Sequence, residues 1–296
     1  MSALPHHPVR AALLYVLAVA LFTAQDAASK WLIADYGALQ IVALTKLLTL
    51  PLLFVVLPRL GGLRALRPRN LGLLVLRALV VFVSLTLFIW ALAGLSLPKA
   101  TTLFFVTPFF VLILSGRFLG ETVSAWRYGA VLIGFVGVII ALRPDRTAGD
   151  GLFGLDLHGL AVIAAAFLAG VEAIITRRAT ATDSTPAIML VSTLVMVVLA
   201  GGPALVLFWH PVALTDWPVF LLAAATNIAA LYALIEAFRA GQASYLAAFD
   251  YSGLAFASLW SVLVFAELPD RATLAGAALI VAAGLMVVRG ERRPVT

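Results

Sequence analysis

Six ionisable residues interrupt stretches of the sequence that are otherwise almost entirely apolar. They are Asp26, Lys46, Arg77, Glu172, Glu236 and Asp250. A charge within an apolar helix is costly unless it lines a polar cavity or pairs with another charge, so each one is a candidate functional residue. Two neutral polar residues, Gln25 and Asn227, occur in the same kind of segment.

Two of these charges have the chemistry of a binding site. Asp250 lies between Phe249 and Tyr251, and a carboxylate flanked by rings attracts an ammonium group by charge and by cation–π contact. Asp250 could instead pair with Lys46 or hydrogen-bond to the backbone. Lys46 lies about halfway along its apolar segment, where it either faces a carboxylate in a cavity or forms a structural ion pair.

Three residues could control access to such a site. Arg77 and Glu236 lie toward the same predicted side, and an ion pair between them would close that side. Snorkelling of both side chains toward the headgroups is the alternative. Pro108 lies within an apolar segment, where a missing N–H kinks a helix. Kinked helices are useful in gates but also occur without that role.

Aromatic side chains with a polar tip are the preferred candidates for the cavity wall. We expect Trp90, Tyr232 and Tyr251 to line one cavity near the midplane, together with Asp250. Most single Phe residues in such segments pack between helices or face lipid instead.

The composition of the chain indicates the class of protein to which these candidate residues belong. The 296 residues are 63% hydrophobic and 11% charged, and the mean hydropathy is +1.09. Soluble domains have about 25% charged residues, so a soluble enzyme and a disordered chain are excluded. The sequence has no cysteine, and its four histidines do not occur at the spacing of metal ligands, so we expect no metal and no cofactor.

The apolar stretches predict an all-α integral membrane protein with ten transmembrane helices. Arg10 before the first apolar run resembles the start of a signal peptide, but the run is long, so we expect a retained first helix. The longest polar connection, 143–156, reads as a linker between two halves of five helices. The helices are predicted at about 11–34, 37–58, 70–94, 97–119, 124–143, 157–179, 185–208, 216–238, 242–266 and 271–289.

Basic residues predict the orientation of the chain in the membrane. Thirteen Lys and Arg residues fall on the side of the N-terminus and five on the opposite side, while Lys46 and Arg77 lie within helices. Because basic loops stay in the cytoplasm, both termini are predicted to be cytoplasmic. The five residues of the other side are Lys30, Lys99, Arg143, Arg146 and Arg271.

The two halves resemble each other. The segment from Pro108 to Glu121 recurs from Leu254 to Glu267, at an offset of about 147 residues. We therefore predict two five-helix repeats, 1–146 and 147–296. Since five is odd, the second repeat must be inverted, which in transporters puts the substrate site between the repeats. The alternative is chance similarity between helices rich in Ala, Leu and Val.

The helix-end glutamates, each followed by a helix with spaced glycines, resemble the EamA repeat of the drug/metabolite transporter superfamily. The second copy, from Tyr251 to Pro269, is similar to the branch that includes YddG-type aromatic amino acid exporters, although Gly253 stands where that branch usually has Pro. The resemblance implies ten helices around a central cavity lined mainly by helices three, four, eight and nine.

The predicted function is therefore export of small amphipathic metabolites across a bacterial inner membrane by alternating access. Amino acids, including aromatic ones, are the favoured substrates. A multidrug or lipophilic-cation effluxer is the first alternative, since an acidic site such as Asp250 or Glu172 would suffice for it. A membrane scaffold or embedded enzyme is the second, although no catalytic motif is found. The predicted partners are a small-molecule substrate and the lipid bilayer, with no nucleic acid, and the protein is expected to be a monomer or weak dimer.

Overall fold

The computed structural model describes residues 7–91, 97–142, 157–207, 209–266 and 271–291. These residues form helices and turns without any β-strand, as the composition predicts. The predicted linker at 143–156 and the repeat glutamate Glu267 lie outside the described residues, as do the basic residues Arg143 and Arg146.

The helices follow the predicted apolar segments. Eight helical segments among the described residues are long and apolar enough to cross a membrane, and two shorter apolar helices occupy Ala125–Ala141 and Arg271–Val287. The predicted count of ten spans stays a prediction. The helices are α1 (Pro8–Leu32), α2 (Ala38–Val56), α3 (Leu71–Ala91), α4 (Leu97–Phe104), α5 (Thr107–Leu114), α6 (Ala125–Leu142), α7 (Leu157–Thr182), α8 (Thr185–Leu207), α9 (Trp217–Ala240), α10 (Ala243–Leu246), α11 (Ser252–Phe265) and α12 (Arg271–Glu291).

One predicted helix is divided into α4 and α5. Pro108 has no N–H to donate to the carbonyl of Phe104, four residues earlier, and that carbonyl accepts the hydroxyl of Thr107 at 2.7 Å instead. The next carbonyl, of Phe105, accepts the hydroxyl of Tyr251 at 3.1 Å. The backbone groups freed by the break are thus satisfied by side chains, as a water-free interior requires.

A second break divides α10 from α11. A 3-10 turn at Ala247–Phe249 follows α10, and α11 begins at Ser252, so Asp250 and Tyr251 lie between two helices. Discontinuous helices of this kind recur where transporters bind their cargo, because the interrupted backbone leaves polar groups available at membrane depth.

The helices pack in pairs around the centre of the molecule. Helix α1 packs against α9 and α11, and α7 packs against α3 and α5. Helix α2 packs against α8, and α6 packs against α12. The central helices α1, α3, α7 and α9 therefore bring residues that are far apart in the sequence to one place.

Close packing of α6 against α12 depends on two facing glycines. A Cβ on Gly276 would lie 2.4 Å from the carbonyl oxygen of Gly137, and small residues allow such backbone approach in membrane helices. We expect Gly276→Ala to lower the free energy of unfolding by about 1–3 kcal/mol, the usual cost of overpacking.

The matched control is Gly202→Ala in α8, because nothing lies within 4 Å of a Cβ at Gly202. Thermal unfolding of the two variants in detergent compares them directly. Equal midpoints for both would contradict the proposed contact between α6 and α12.

Candidate functional site

Two adjoining cavities lie among the central helices, each with a volume of about 200 Å³. Asp250 lines the first, which we call the Asp250 cavity, and Lys46 lines the second, which we call the Lys46 cavity. Both cavities share Phe22, Glu172 and Leu234 on their walls. Together they form one candidate site, lined by residues of α1, α2, α3, α4, α5, α7, α8, α9 and α10 and of the second helix break.

The Asp250 cavity contains a carboxylate at the second helix break. The hydroxyl of Tyr15 in α1 donates a hydrogen bond to Asp250 at 3.2 Å, and Tyr15 is itself buried. Pro108 lines the same cavity. The two helix breaks therefore meet at this cavity, one contributing Pro108 and the other Asp250.

The Lys46 cavity contains an ammonium group with neutral partners. The Nζ of Lys46 donates to the Oδ1 of Asn227 at 3.1 Å, and the Nδ2 of Asn227 donates to the Oε1 of Gln25 at 2.7 Å. Asn227 is 1% exposed. This chain joins α2, α9 and α1 and fixes the position of the cation without neutralising its charge.

Arg77 also lines the Lys46 cavity but is held by three side chains. Its guanidinium pairs with Glu172 at 2.5 Å and donates to Thr176 at 2.6 Å and to Ser192 at 2.7 Å. The Arg77 side chain is 4% exposed. These contacts join α3, α7 and α8. Because Glu172 is one of the partners, the charge of Arg77 is already neutralised inside the protein.

The expected ion pair between Arg77 and Glu236 is not formed in this conformation. Glu236 accepts hydrogen bonds from Thr185 and Arg239 at the end of α9. Arg239 also donates to the carbonyl of Thr180 at 2.7 Å. The reason is one of position: Arg77 is closest to Glu172 in α7, whereas Glu236 lies beside the turn between α7 and α8. Glu236 thus joins the end of α9 to that turn.

A second polar cluster holds one of the residues that line the Asp250 cavity. Glu121 accepts hydrogen bonds from the backbone N–H of Ala243 and of Ser244, both at 2.9 Å, and from the Ser244 hydroxyl at 2.6 Å. Arg177 lies 3.9 Å from the Glu121 carboxylate. Because Ala243 lines the Asp250 cavity, Glu121 fixes the backbone of one of its wall residues.

The structure does not bring the three predicted aromatic residues to these cavities. Trp90 stacks on His158 with ring centroids 4.7 Å apart and is 46% exposed. Tyr232 is 37% exposed, because the cavity face of α9 carries Leu231 and Leu234 instead. Tyr251 is fully buried, and its hydroxyl serves the helix break at Phe105.

Other residues that the sequence argument undervalued line the site. Glu172 contacts both cavities, and Tyr15 binds Asp250. The repeat offset contains a signal for Glu172, since it aligns this residue with Gln25 in α1. Asp26, the remaining intrahelical charge, is exposed on α1. Within the described ranges, no three His, Cys, Asp or Glu residues are grouped to hold a metal ion.

Comparison with known proteins gives the family. The model of the EamA-like transporter family matches residues 9–143 and 158–289. A solved crystal structure superposes with a TM-score of 0.81 at 18% identity, covering 97% of this chain and 99% of that one. That likeness shows a shared fold.

Three relatives illustrate the range of cargo. The pseudopaline exporter CntI of Pseudomonas aeruginosa (strain UCBPP-PA14) is 27% identical over 284 residues, 95% of this chain and 96% of its own. A riboflavin transporter of Rhizobium johnstonii is 30% identical over 236 residues, 78% of this chain and 75% of its own. An S-adenosylmethionine uptake transporter of Rickettsia bellii is 28% identical over 219 residues, 74% of this chain and 73% of its own.

These relatives do not specifically support the resemblance to YddG-type aromatic amino acid exporters. The family match nevertheless covers both halves of the chain, and the relatives named above are transporters. The chain therefore belongs to the EamA-like transporter family and is a multi-pass membrane transporter of small metabolites.

Proposed function

We propose that this protein exports small zwitterionic metabolites, amino acids among them, by alternating access through the joined Asp250 and Lys46 cavities. Asp250 would bind the ammonium group of the substrate, and Lys46 would bind its carboxylate. No enzymatic activity is proposed.

The distribution of charge carries this proposal. Four charged side chains line the two cavities: Lys46, Arg77, Glu172 and Asp250. Arg77 and Glu172 neutralise each other, whereas the hydrogen-bond partners of Lys46 and Asp250 in the described part of the chain are the neutral Asn227 and Tyr15. A buried charge is stabilised by an opposite charge, and a zwitterion supplies one for each of the two.

The proposed transport mechanism uses two inverted repeats, 1–146 and 147–296, in ten spans. If the halves correspond, α1 matches α7, α3 matches α9 and α5 matches α11. The contact of α1 with α9 then has its counterpart in that of α7 with α3, and the contact of α1 with α11 has its counterpart in that of α7 with α5. All four contacts occur. The hydrogen-bonded sets follow the same exchange: Gln25, Asn227 and Lys46 join α1, α9 and α2, and Glu172, Arg77 and Ser192 join α7, α3 and α8. Rocking of one repeat against the other would expose the site alternately.

Placement in the cell is also part of the proposal. The excess of basic residues on one side supports cytoplasmic termini in a bacterial inner membrane, and Arg77, Glu236 and Pro108 would then act in opening and closing the cytoplasmic half. We propose a monomer or weak dimer. Export is the direction of one relative, the pseudopaline exporter. Another relative takes up S-adenosylmethionine, a molecule that itself carries an ammonium and a carboxylate on one carbon.

Counterflow in proteoliposomes containing only this protein tests the function. Vesicles loaded with unlabelled L-serine are expected to accumulate labelled L-serine from outside, and excess external L-alanine should compete. Counterflow of a labelled lipophilic cation that excess L-serine and L-alanine do not inhibit would indicate the alternative of multidrug efflux. Absence of any counterflow, while the protein is folded and inserted, would contradict the proposal and favour a scaffold or embedded enzyme.

A further inference from the structure

A third cavity of about 320 Å³ lies beside the site, between α3, α4 and α7. Val81, Leu85 and Phe88 line it from α3, Phe104 lines it from α4, and Ala169 and Glu172 line it from α7. We call it the side cavity. It is larger than the roughly 150 Å³ of an apolar cavity that holds one benzene ring.

The side cavity offers almost no free hydrogen-bonding groups. The hydroxyl of Ser84, which also lines it, donates to the carbonyl of Ala165 at 2.8 Å. The Oε1 of Glu172 already binds Arg77 and Thr176. Phe88 and Phe104 meet edge to face at 5.2 Å on the wall. An apolar group, and a ring above all, is what such a surface accommodates best.

The side cavity shares wall residues with both charged cavities. Phe104, Ala169 and Glu172 also line the Asp250 cavity, and Val81 and Glu172 also line the Lys46 cavity. One substrate molecule can therefore place its charged groups at Asp250 and Lys46 and its side group in the side cavity.

We propose that the side cavity binds the apolar side group of the transported zwitterion and selects substrates with a large, ring-bearing group. The proposal rests on the function proposed above. Leu85 and Phe88, which line the side cavity but neither charged cavity, limit how large that group can be. Neither residue carries a charge, so both act on the size of the substrate and not on recognition of its poles.

Inhibition of L-serine counterflow tests this selectivity. In the parent protein, L-tryptophan is expected to inhibit at a lower concentration than L-alanine. Leu85→Trp fills the side cavity from α3 at a position that lines neither charged cavity. It should raise the inhibitory concentration of L-tryptophan by about 10-fold or more, within the range of discrimination by apolar pockets. Counterflow of L-serine, which has no large side group, should remain within about threefold of the parent rate.

Two further variants keep the test decisive. Phe88→Trp puts a larger ring into the side cavity and should give the same loss of L-tryptophan inhibition if Leu85→Trp does not fold. Leu76→Trp is the matched control, because Leu76 is 48% exposed on the same helix and lines none of the three cavities. L-tryptophan should inhibit this variant as it inhibits the parent.

The outcomes separate this inference from the proposed function. Parent protein that does not exchange L-serine contradicts the proposed function itself. If the parent exchanges L-serine but L-tryptophan inhibits both filled variants as strongly as the parent, the side group does not bind in the side cavity. If both variants lose L-serine counterflow to the same extent as they lose inhibition by L-tryptophan, the proposal is also overturned, because the cavity then does not select by side group.

Discussion

Replacing Lys46 by methionine or Asp250 by asparagine is expected to slow counterflow of a zwitterionic amino acid by about 30-fold or more, because truncating one partner of a buried charge pair costs about 2–5 kcal/mol. Each substitution keeps the approximate size of the side chain and removes its charge. The Asp250 variant can still accept the hydroxyl of Tyr15, so the contact between α1 and the helix break is retained.

Asp26→Asn is the matched control for this result. Asp26 is an intrahelical carboxylate of the same kind as Asp250, but it lies on the exposed face of α1 and does not line either charged cavity. Its counterflow should equal that of the parent. Parental rates in Lys46→Met and Asp250→Asn would instead show that both residues are packing residues.

Removing one partner of the Arg77–Glu172 pair is expected to have the largest effect on stability. Glu172→Leu leaves the guanidinium of Arg77, which is 4% exposed, with only the hydroxyls of Thr176 and Ser192. An uncompensated buried charge costs about 3–5 kcal/mol. Denaturant unfolding in detergent, followed by circular dichroism, measures the loss.

The double variant Arg77→Leu/Glu172→Leu distinguishes this explanation from simple loss of packing. Replacing a buried ion pair by two apolar residues is often neutral or stabilising, so the double variant should be more stable than Glu172→Leu alone. If the two substitutions destabilise additively, Arg77 and Glu172 do not act as a pair.

The helices were predictable because their signal is local. Long apolar segments punctuated by Pro and Gly are enough to place them, and the positions of α1, α2, α7, α8 and α9 follow from this pattern. The break between α4 and α5 was predictable in kind from Pro108. The break before α11 has no proline, and it depends on contacts that the local sequence does not specify.

The partners of the charges could not be predicted in the same way. The sequence offers two possible acidic partners for Arg77, which are Glu172 and Glu236. Only the packing of α3 against α7 and α8 selects between them. Tyr251 next to Asp250 looks like a cavity residue in the sequence, but its side chain points to the carbonyl of Phe105. Which face of a helix meets the cavity depends on a rotation of the whole helix, and in α9 that rotation exposes Tyr232 while Leu231 and Leu234 line the cavity.

Binding of charge-matched ligands to charge-deleted variants tests most directly whether one substrate bridges Asp250 and Lys46. Competition against labelled L-serine and direct calorimetry would compare L-serine, ethanolamine, which lacks the carboxylate, and 3-hydroxypropionate, which lacks the ammonium. The parent should bind L-serine best. Lys46→Met should lose L-serine but bind ethanolamine more tightly than the parent does, because no cation is then left unpaired. Asp250→Asn should lose L-serine but bind 3-hydroxypropionate more tightly. If each variant weakened L-serine and its matched analogue by the same factor, the two charges would not be the two poles of one binding site.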